Sequence, residues 1–367
     1  MLGAEGAVLF LERVSPAIEQ VDSSSGAIGT AVNHAIDALV PIITKAPACD
    51  KVRNKWLERL WLAVEEDGIP YIEMLPEYWG ELCVTPERAS YWADQFIDTV
   101  RMAWNPDPEL RGYFKGTGAC LSALFKAGRN SEIMELLDLS PYKFWSERKW
   151  GVKALLAMGK KGEALRFAEN SRGVYVPDLV ISESCEEILL ASGMGEEAYK
   201  RYAFQANQRT TYLATFRAIV KKYPNKRPAD ILKDLVAFTP GEEGKWFAAA
   251  KSAGLYAEAI ELANRTPCDP KTLTRAALDM AETEPQFAVE AGIAALRWLV
   301  EGYGYEITGL DVLSAYDYTM KAAANAGCTP HAFCRIRTLV AGEHFGERFV
   351  TRILGRALGL KYQGGNN

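Results

Sequence analysis

The chain has 367 residues, 49% of them apolar, a net charge of −5 and a mean hydropathy of −0.11. That balance supports a packed core and excludes global disorder. The opening MLGAEGAVLFLERV has no basic leader and is broken by Glu5, Glu12 and Arg13, so a signal peptide is not expected. The most apolar stretch, residues 27–43, is interrupted by His34, Asp37 and Pro41, so a membrane span is not expected either.

Ala, Leu, Glu and Lys dominate and period-two runs of β-branched residues are scarce, which predicts an all-α fold. Residues 1–22 read as a helix carrying Val8, Leu9, Leu11 and Val14. Ser23-Ser24-Ser25-Gly26 forms a turn able to cap the next helix, residues 27–43. Pro41 and Pro47 break the chain after it, and Asp50 caps a helix over residues 51–66 with Trp56, Leu60 and Val64 on one face. Gly68 stops it, residues 70–83 form a short helix interrupted at Pro76, and Thr85-Pro86 starts one that runs to about Met102. Asn105–Pro108 is the clearest break. It divides an acidic, Trp-rich region, residues 1–108, from a repeat region, residues 109–362, with 363–367 as a disordered tail. The first 110 residues carry eight Lys and Arg against 18 Asp and Glu, whereas the rest carry 34 against 29.

Beyond the break, one stretch sets the grammar. In GKWFAAAKSAGLYAEAIELANRTP, residues 244–267, Trp246, Phe247 and Ala250 share a helix face, Gly254 stops the helix, and Tyr256, Ala259, Ile260 and Ala263 line a second one. Neither helix is long enough to stand alone in water, so the pair must bury its stripe against a neighbour. A glycine with a small or apolar residue five positions later recurs at Gly128, Gly159, Gly193 and Gly327, reaching Ile133, Ala164, Ala198 and Ala332. The gap from Gly193 to Gly254 leaves room for one degenerate unit, at Tyr223-Pro224 and the nearby Ala229, Ile231 and Leu232. Such spacing marks stacked two-helix repeats. The fold class expected is an α-solenoid of stacked antiparallel helical hairpins. In its turn the repeat resembles the tetratricopeptide class of α-solenoids over residues 113–341, although the helix-A tryptophan is present only as Trp246, and HEAT-like packing is the alternative. The block at residues 244–263 also resembles helical tails of bacterial SWIM zinc-finger proteins; the finger's Cys/His signature is absent and no function carries over.

Three constellations are candidates for function. Trp56, Trp61, Tyr78, Trp79 and Trp92 concentrate aromatic surface and read either as a peptide groove or as core. Arg348, Arg352 and Arg356 are four apart and form a basic stripe on a helix, suited to phosphates; the alternatives are a solvated face or an intramolecular match to the acidic N-terminal third. Cys328, His331 and Cys334 are three apart and supply zinc-ligand chemistry, with His344 as a fourth; against this, Pro330 sets Cys328 before the helix and Thr329 reads as its cap. Nucleotide-loop, HExxH, GxSxG and EF-hand patterns do not occur, so no catalytic residue or cofactor is assigned. Seven scattered cysteines without a CxxC suit a reducing compartment, so a cytoplasmic location is expected. The function expected is a non-enzymatic scaffold or adaptor for a protein or peptide. Nucleic-acid binding through the arginine stripe, or a regulatory subunit of an enzyme, are the alternatives.

Overall fold

The computed structural model describes residues 1–19, 26–173 and 176–360. The expected turn residues Ser23–Ser25 and the expected tail, 363–367, lie outside them. Twenty α-helices account for most of the described chain, and the only β-pairing among described residues is one isolated bridge between Gly173 and Val176. The fold is all-α. It divides into two compact units, residues 1–198 and 199–367.

In the first unit, α1 (Leu2–Ile18), α2 (Ala27–Lys45) and α3 (Asp50–Glu66) pack together. Val32, Ile36, Val40 and Ile43 form the buried stripe of α2. By length and composition α2 could cross a membrane, at mean hydropathy 1.3, and 22% of that window is buried within the protein. Pro76 does not interrupt a helix as expected; it opens a single 3₁₀ turn, Leu75–Tyr78, that runs into the short α4 (Trp79–Cys83). The Thr85 hydroxyl accepts from the Arg88 N–H and caps α5 (Pro86–Ala103) as its sequence predicts. Asp50, in contrast, is the first residue of α3 and not its cap; its carboxylate pairs with Arg88 at 2.5 Å. Gly26, in the left-handed region, precedes α2 without a side-chain cap.

The helical hairpins come next: α6 (Thr117–Lys126) with α7 (Asn130–Leu139), then α8 (Trp145–Ala157) with α9 (Lys161–Glu169). After them come α10 (Asp178–Leu190) and α11 (Gly195–Ala206), which the division at residue 198 crosses. In the second unit α12 (Tyr212–Lys222) pairs with α13 (Pro228–Phe238), at the place of the degenerate repeat. Then α14 (Phe247–Ser252) pairs with α15 (Tyr256–Arg265), α16 (Pro270–Met280) with α17 (Pro285–Val300), and α18 (Gly309–Asn325) with α19 (Thr329–Ala341). The last, α20 (Phe349–Leu354), rests on α18 and α19.

The turn glycines explain the hairpins. Gly254 has φ 73°, its N–H donates to Lys251 C=O at 3.0 Å, and the next N–H, of Leu255, reaches back to Ala250 C=O at 3.0 Å. This pair of bonds satisfies the last carbonyls of α14 in a Schellman motif, and it requires a conformation in which a Cβ is strained. Gly128, Gly159, Gly193 and Gly327 repeat the same pair of bonds, at φ between 68° and 75°. The residue five beyond each, Ile133, Ala164, Ala198, Ala259 or Ala332, is fully buried. Each helix thus stops where a left-handed residue is available and restarts with a buried contact fixed five positions on.

Within each unit several helices touch the next helix but one: α6 meets α8, α12 meets α14, α15 meets α17, and α17 meets α19. One hydrophobic cluster runs from Ala4 to Ala154. It passes through the break at Asn105–Pro108 without interruption, because α5 and α4 both pack on α6. That break is a surface excursion inside the first unit, and the compact division falls far beyond it, at residue 198.

Candidate functional site

A groove of about 780 Å³ opens on the first unit between three segments: the 3₁₀ turn before α4, the loop from α5 to α6, and the loop entering α8. The 3₁₀ turn that lines it at Pro76 and Glu77 is tied to the rest of the unit by polar bonds. Gly80 N–H donates to the Ser122 hydroxyl at 3.0 Å, and that hydroxyl donates to Glu77 C=O at 2.8 Å. The Glu77 carboxylate pairs with Lys149 of α8.

The loop from α5 to α6 is shaped by its own backbone. Gly112 N–H donates to Ala103 C=O at 3.1 Å and closes the excursion. Arg111 donates to the carbonyls of Asn105 and Pro106, at 2.9 and 3.1 Å. Lys115 donates to the carbonyls of Val64, Glu65 and Asp67, at 3.3, 3.0 and 2.6 Å, and so caps the C-terminal end of α3. Both cations of this wall are therefore committed to backbone oxygens. Phe114 anchors the loop inward, on Trp61 and Phe96. Tyr113 points out and is 89% exposed.

The opposite wall is Pro141–Phe144. Tyr142 and Phe144 are 55% and 39% exposed, their rings 5.3 Å apart. Behind them the Ser140 hydroxyl lies 2.8 Å from Tyr142 C=O and 3.1 Å from the Glu147 carboxyl. One hydroxyl carries one proton and can donate to only one of these acceptors at a time. Burial pushes the Glu147 carboxyl up to about 7 from its ordinary value near 4.5, against the lowering effects of Ser140 and Arg148. A neutral Glu147 can donate to Ser140, which frees the Ser140 proton for Tyr142 C=O. A groove with exposed aromatics, polar groups converging from separate segments and one shifted carboxyl has the make-up of a ligand site.

The candidates from sequence are placed otherwise. Trp56 and Trp79 are 1% and 0% exposed, so these two are core and present no surface to a partner, which corrects the groove expectation for them. Trp56 instead donates its indole N–H to Glu5 at 2.6 Å, tying α3 to α1, and Trp79 sits edge-on between Trp61 and Trp92. Trp61 and Trp92 line a smaller cleft of about 390 Å³ with Phe96 and Phe114. The Tyr78 hydroxyl donates to Asp37 at 2.5 Å, which holds the phenol up at about 12.

Among the described residues no three His, Cys, Asp or Glu side chains converge to hold a metal, and the candidate ligands Cys328, His331 and Cys334 are not gathered into one site. The reason is positional. Cys328 is the residue before α19 and packs beside a cluster of alanines, whereas His331 and Cys334 open onto a separate cleft beside Arg335 and Arg297. Cys328, not Thr329, holds the cap position, and it makes no side-chain cap bond. Arg348, Arg352 and Arg356 are all exposed, but α20 is only six residues long; Arg348 precedes it at φ 54° and Arg352 pairs with Glu347 at 2.9 Å.

Sequence reasoning passed over Tyr113, Tyr142, Phe144 and Glu147. The available signal was aromatic residues in proline-flanked loops, where binding residues concentrate. Comparison with protein-family models, curated proteins and solved structures finds no match to this chain.

Proposed function

We propose that this chain is a non-enzymatic helical-repeat scaffold, of tetratricopeptide-like or HEAT-like build, that binds an extended segment of a partner protein in the groove of its first unit. The observation that carries the reading is the pair of loop walls. Tyr113, Tyr142 and Phe144 are held out in water by segments whose own polar groups are spent on backbone bonds. Exposed aromatics on a rigid frame cost solvation and act as hot spots once covered. The repeated Schellman turns support the solenoid part of the proposal, since stacked hairpins create extended binding surfaces. The test is selection of ligands from a random peptide library by the full chain, then titration of the selected peptides. Tyr113→Ala, at a residue too exposed to affect folding, should weaken binding about tenfold, on the scale of a hot-spot truncation. A library that yields no ligand, or ligands indifferent to Tyr113 and Phe144, overturns the reading.

Nucleic-acid binding by the second unit is the other reading. It is favoured by the exposed Arg348 and Arg356 and by that unit's 22 Lys and Arg against 17 Asp and Glu. Retention on labelled oligonucleotides should then fall steeply with salt, and retention that ignores salt or is absent removes it.

A further inference from the structure

Resting on that reading, we infer that the groove selects a cationic segment and that a lysine or arginine of the bound chain seats against the Glu147 carboxyl. Charge is the first ground. The first unit holds 20 Lys and Arg against 30 Asp and Glu, so its field draws cations. The second is how the groove's own charges are spent. Arg111 and Lys115 are bound to backbone carbonyls, and Lys149 is paired with Glu77. Arg148, next to Glu147, lies over the Phe167 ring and donates to the Ser171 hydroxyl at 2.9 Å, with Asp138 of α7 nearby. Among the described residues, Glu147 and the exposed Glu73 are thus the lining carboxyls that no lysine or arginine neutralises by direct contact. The third is position. Glu147 stands behind Tyr142 and Phe144, where an apolar stem laid on the rings brings an ammonium or guanidinium to a carboxylate.

The geometry adds a regulatory consequence. Without ligand and below pH 7, the neutral carboxyl satisfies the chain Glu147–Ser140–Tyr142 C=O. A cationic side chain favours the ionised form and expels the proton, and Ser140 then turns its own proton toward Glu147. If the ligand takes only ionised Glu147, binding should tighten about tenfold between pH 6 and pH 8, with nearly one proton leaving per ligand at pH 6 and almost none at pH 8.

The experiment uses the full chain and a fluorescein-labelled peptide selected from the library, made as a matched pair with arginine or with neutral citrulline at its basic position. Fluorescence anisotropy at pH 6 and pH 8 gives the affinities. The expected result is about tenfold tighter binding of the arginine peptide at pH 8 than at pH 6, and no tightening of the citrulline peptide. Glu147→Gln should remove both the preference and the pH effect. Selected peptides without lysine or arginine, equal affinities for the pair, or a pH effect that survives Glu147→Gln overturn the inference. If Tyr113→Ala weakens both peptides equally while arginine gives no advantage, the groove stands and the cation is wrong. If no peptide is selected, the reading of the groove fails and takes this inference with it. The matched pair and the pH series need no substitution in the protein, so they decide independently of Glu147→Gln.

Discussion

Gly80→Ala should loosen the first unit where α4 packs on α6. A Cβ on Gly80 would lie 2.3 Å from the Ser122 carbonyl oxygen and 2.8 Å from Lys126 Cβ. The first distance is about 1 Å inside ordinary contact. The blocking atom is backbone in the middle of α6, so no rotamer change relieves it; α4 and α6 must part. Separation also stretches the bond from Gly80 N–H to Ser122 and, through it, the contact with Glu77 C=O. Overpacking of this kind costs about 1–3 kcal/mol, and the upper half applies to an immovable atom. The helix propensity regained by alanine returns less than about 1 kcal/mol in a helix of five residues. The net expectation is about 2 kcal/mol of destabilisation, or ~4–8 °C in Tm for a unit of this size. Seven of the nine tryptophans lie in the first unit, so urea unfolding monitored by tryptophan fluorescence reads that unit. Gly6→Ala is the control: it sits inside α1 with nothing within 4 Å and should stabilise by about 0.5–1 kcal/mol. Should Gly80→Ala leave the midpoint unchanged or raise it, the close approach of α4 to α6 is wrong.

The other expectations test the turns, the far end of the chain, the thiols and the groove carboxyl. Gly254→Ala meets no atom within 4 Å and suffers only its backbone angle, so it should cost about 1–2 kcal/mol; a neutral result in chemical denaturation would deny the left-handed turn. Buried Glu343 accepts from the Val350 and Thr351 N–H groups, so Glu343→Ala should cost about 1–3 kcal/mol and raise amide exchange first in α20. Exchange that rises evenly over the second unit would contradict that role. Cys49 and Cys334 are exposed, whereas burial pushes Cys83, Cys120 and Cys268 up to about 12, so two thiols should react fast with a thiol reagent and those three only on unfolding. Mass mapping of the modified residues checks it. A raised folded-state value for Glu147 gives stability that is whole below pH 4.5 and is lost as pH rises through 7. Relative to the native chain, Glu147→Gln should therefore be equal near pH 4.5 and about 1–2 kcal/mol more stable near pH 8, allowing for the water that reaches a partly exposed carboxyl. A difference that does not change with pH would refute it.

The hairpins are legible in the sequence because their signal is local and obligatory. A helix that ends in a Schellman turn needs a left-handed residue, glycine supplies it without strain, and the next buried position comes at fixed spacing. The turn after α12 has no such glycine and is marked instead by Tyr223-Pro224 and the apolar residues beyond it. Caps are legible only where one side chain decides. Thr85 succeeds because Pro86 fixes the first helical residue behind it. Asp50 and Thr329 fail because each enters the helix one position after the residue at the cap, where its oxygen no longer faces the free N–H groups. The break at Asn105–Pro108 is real as a loop but carries no information on domains, since compactness is decided by what α5 and α6 bury together.

The groove is illegible for the complementary reason. Its parts come from residues 73–77, 103–118 and 141–147, and no spacing rule joins them. The tryptophan count points elsewhere because large aromatics serve first to fill space: Trp56 and Trp79 are consumed by the core that holds the walls in place. A tyrosine left in water beside prolines is the stronger sign of a binding surface than a tryptophan inside a helical stripe, because the stripe already explains the tryptophan. The same holds for charge. Arg111 and Lys115 look basic in sequence, but their protons are spent on five peptide oxygens, two just past the end of α5 and three at the end of α3. With both cations withdrawn in this way, the loop from α5 to α6 builds a wall that leaves the carboxyls of Glu73 and Glu147 to meet whatever enters.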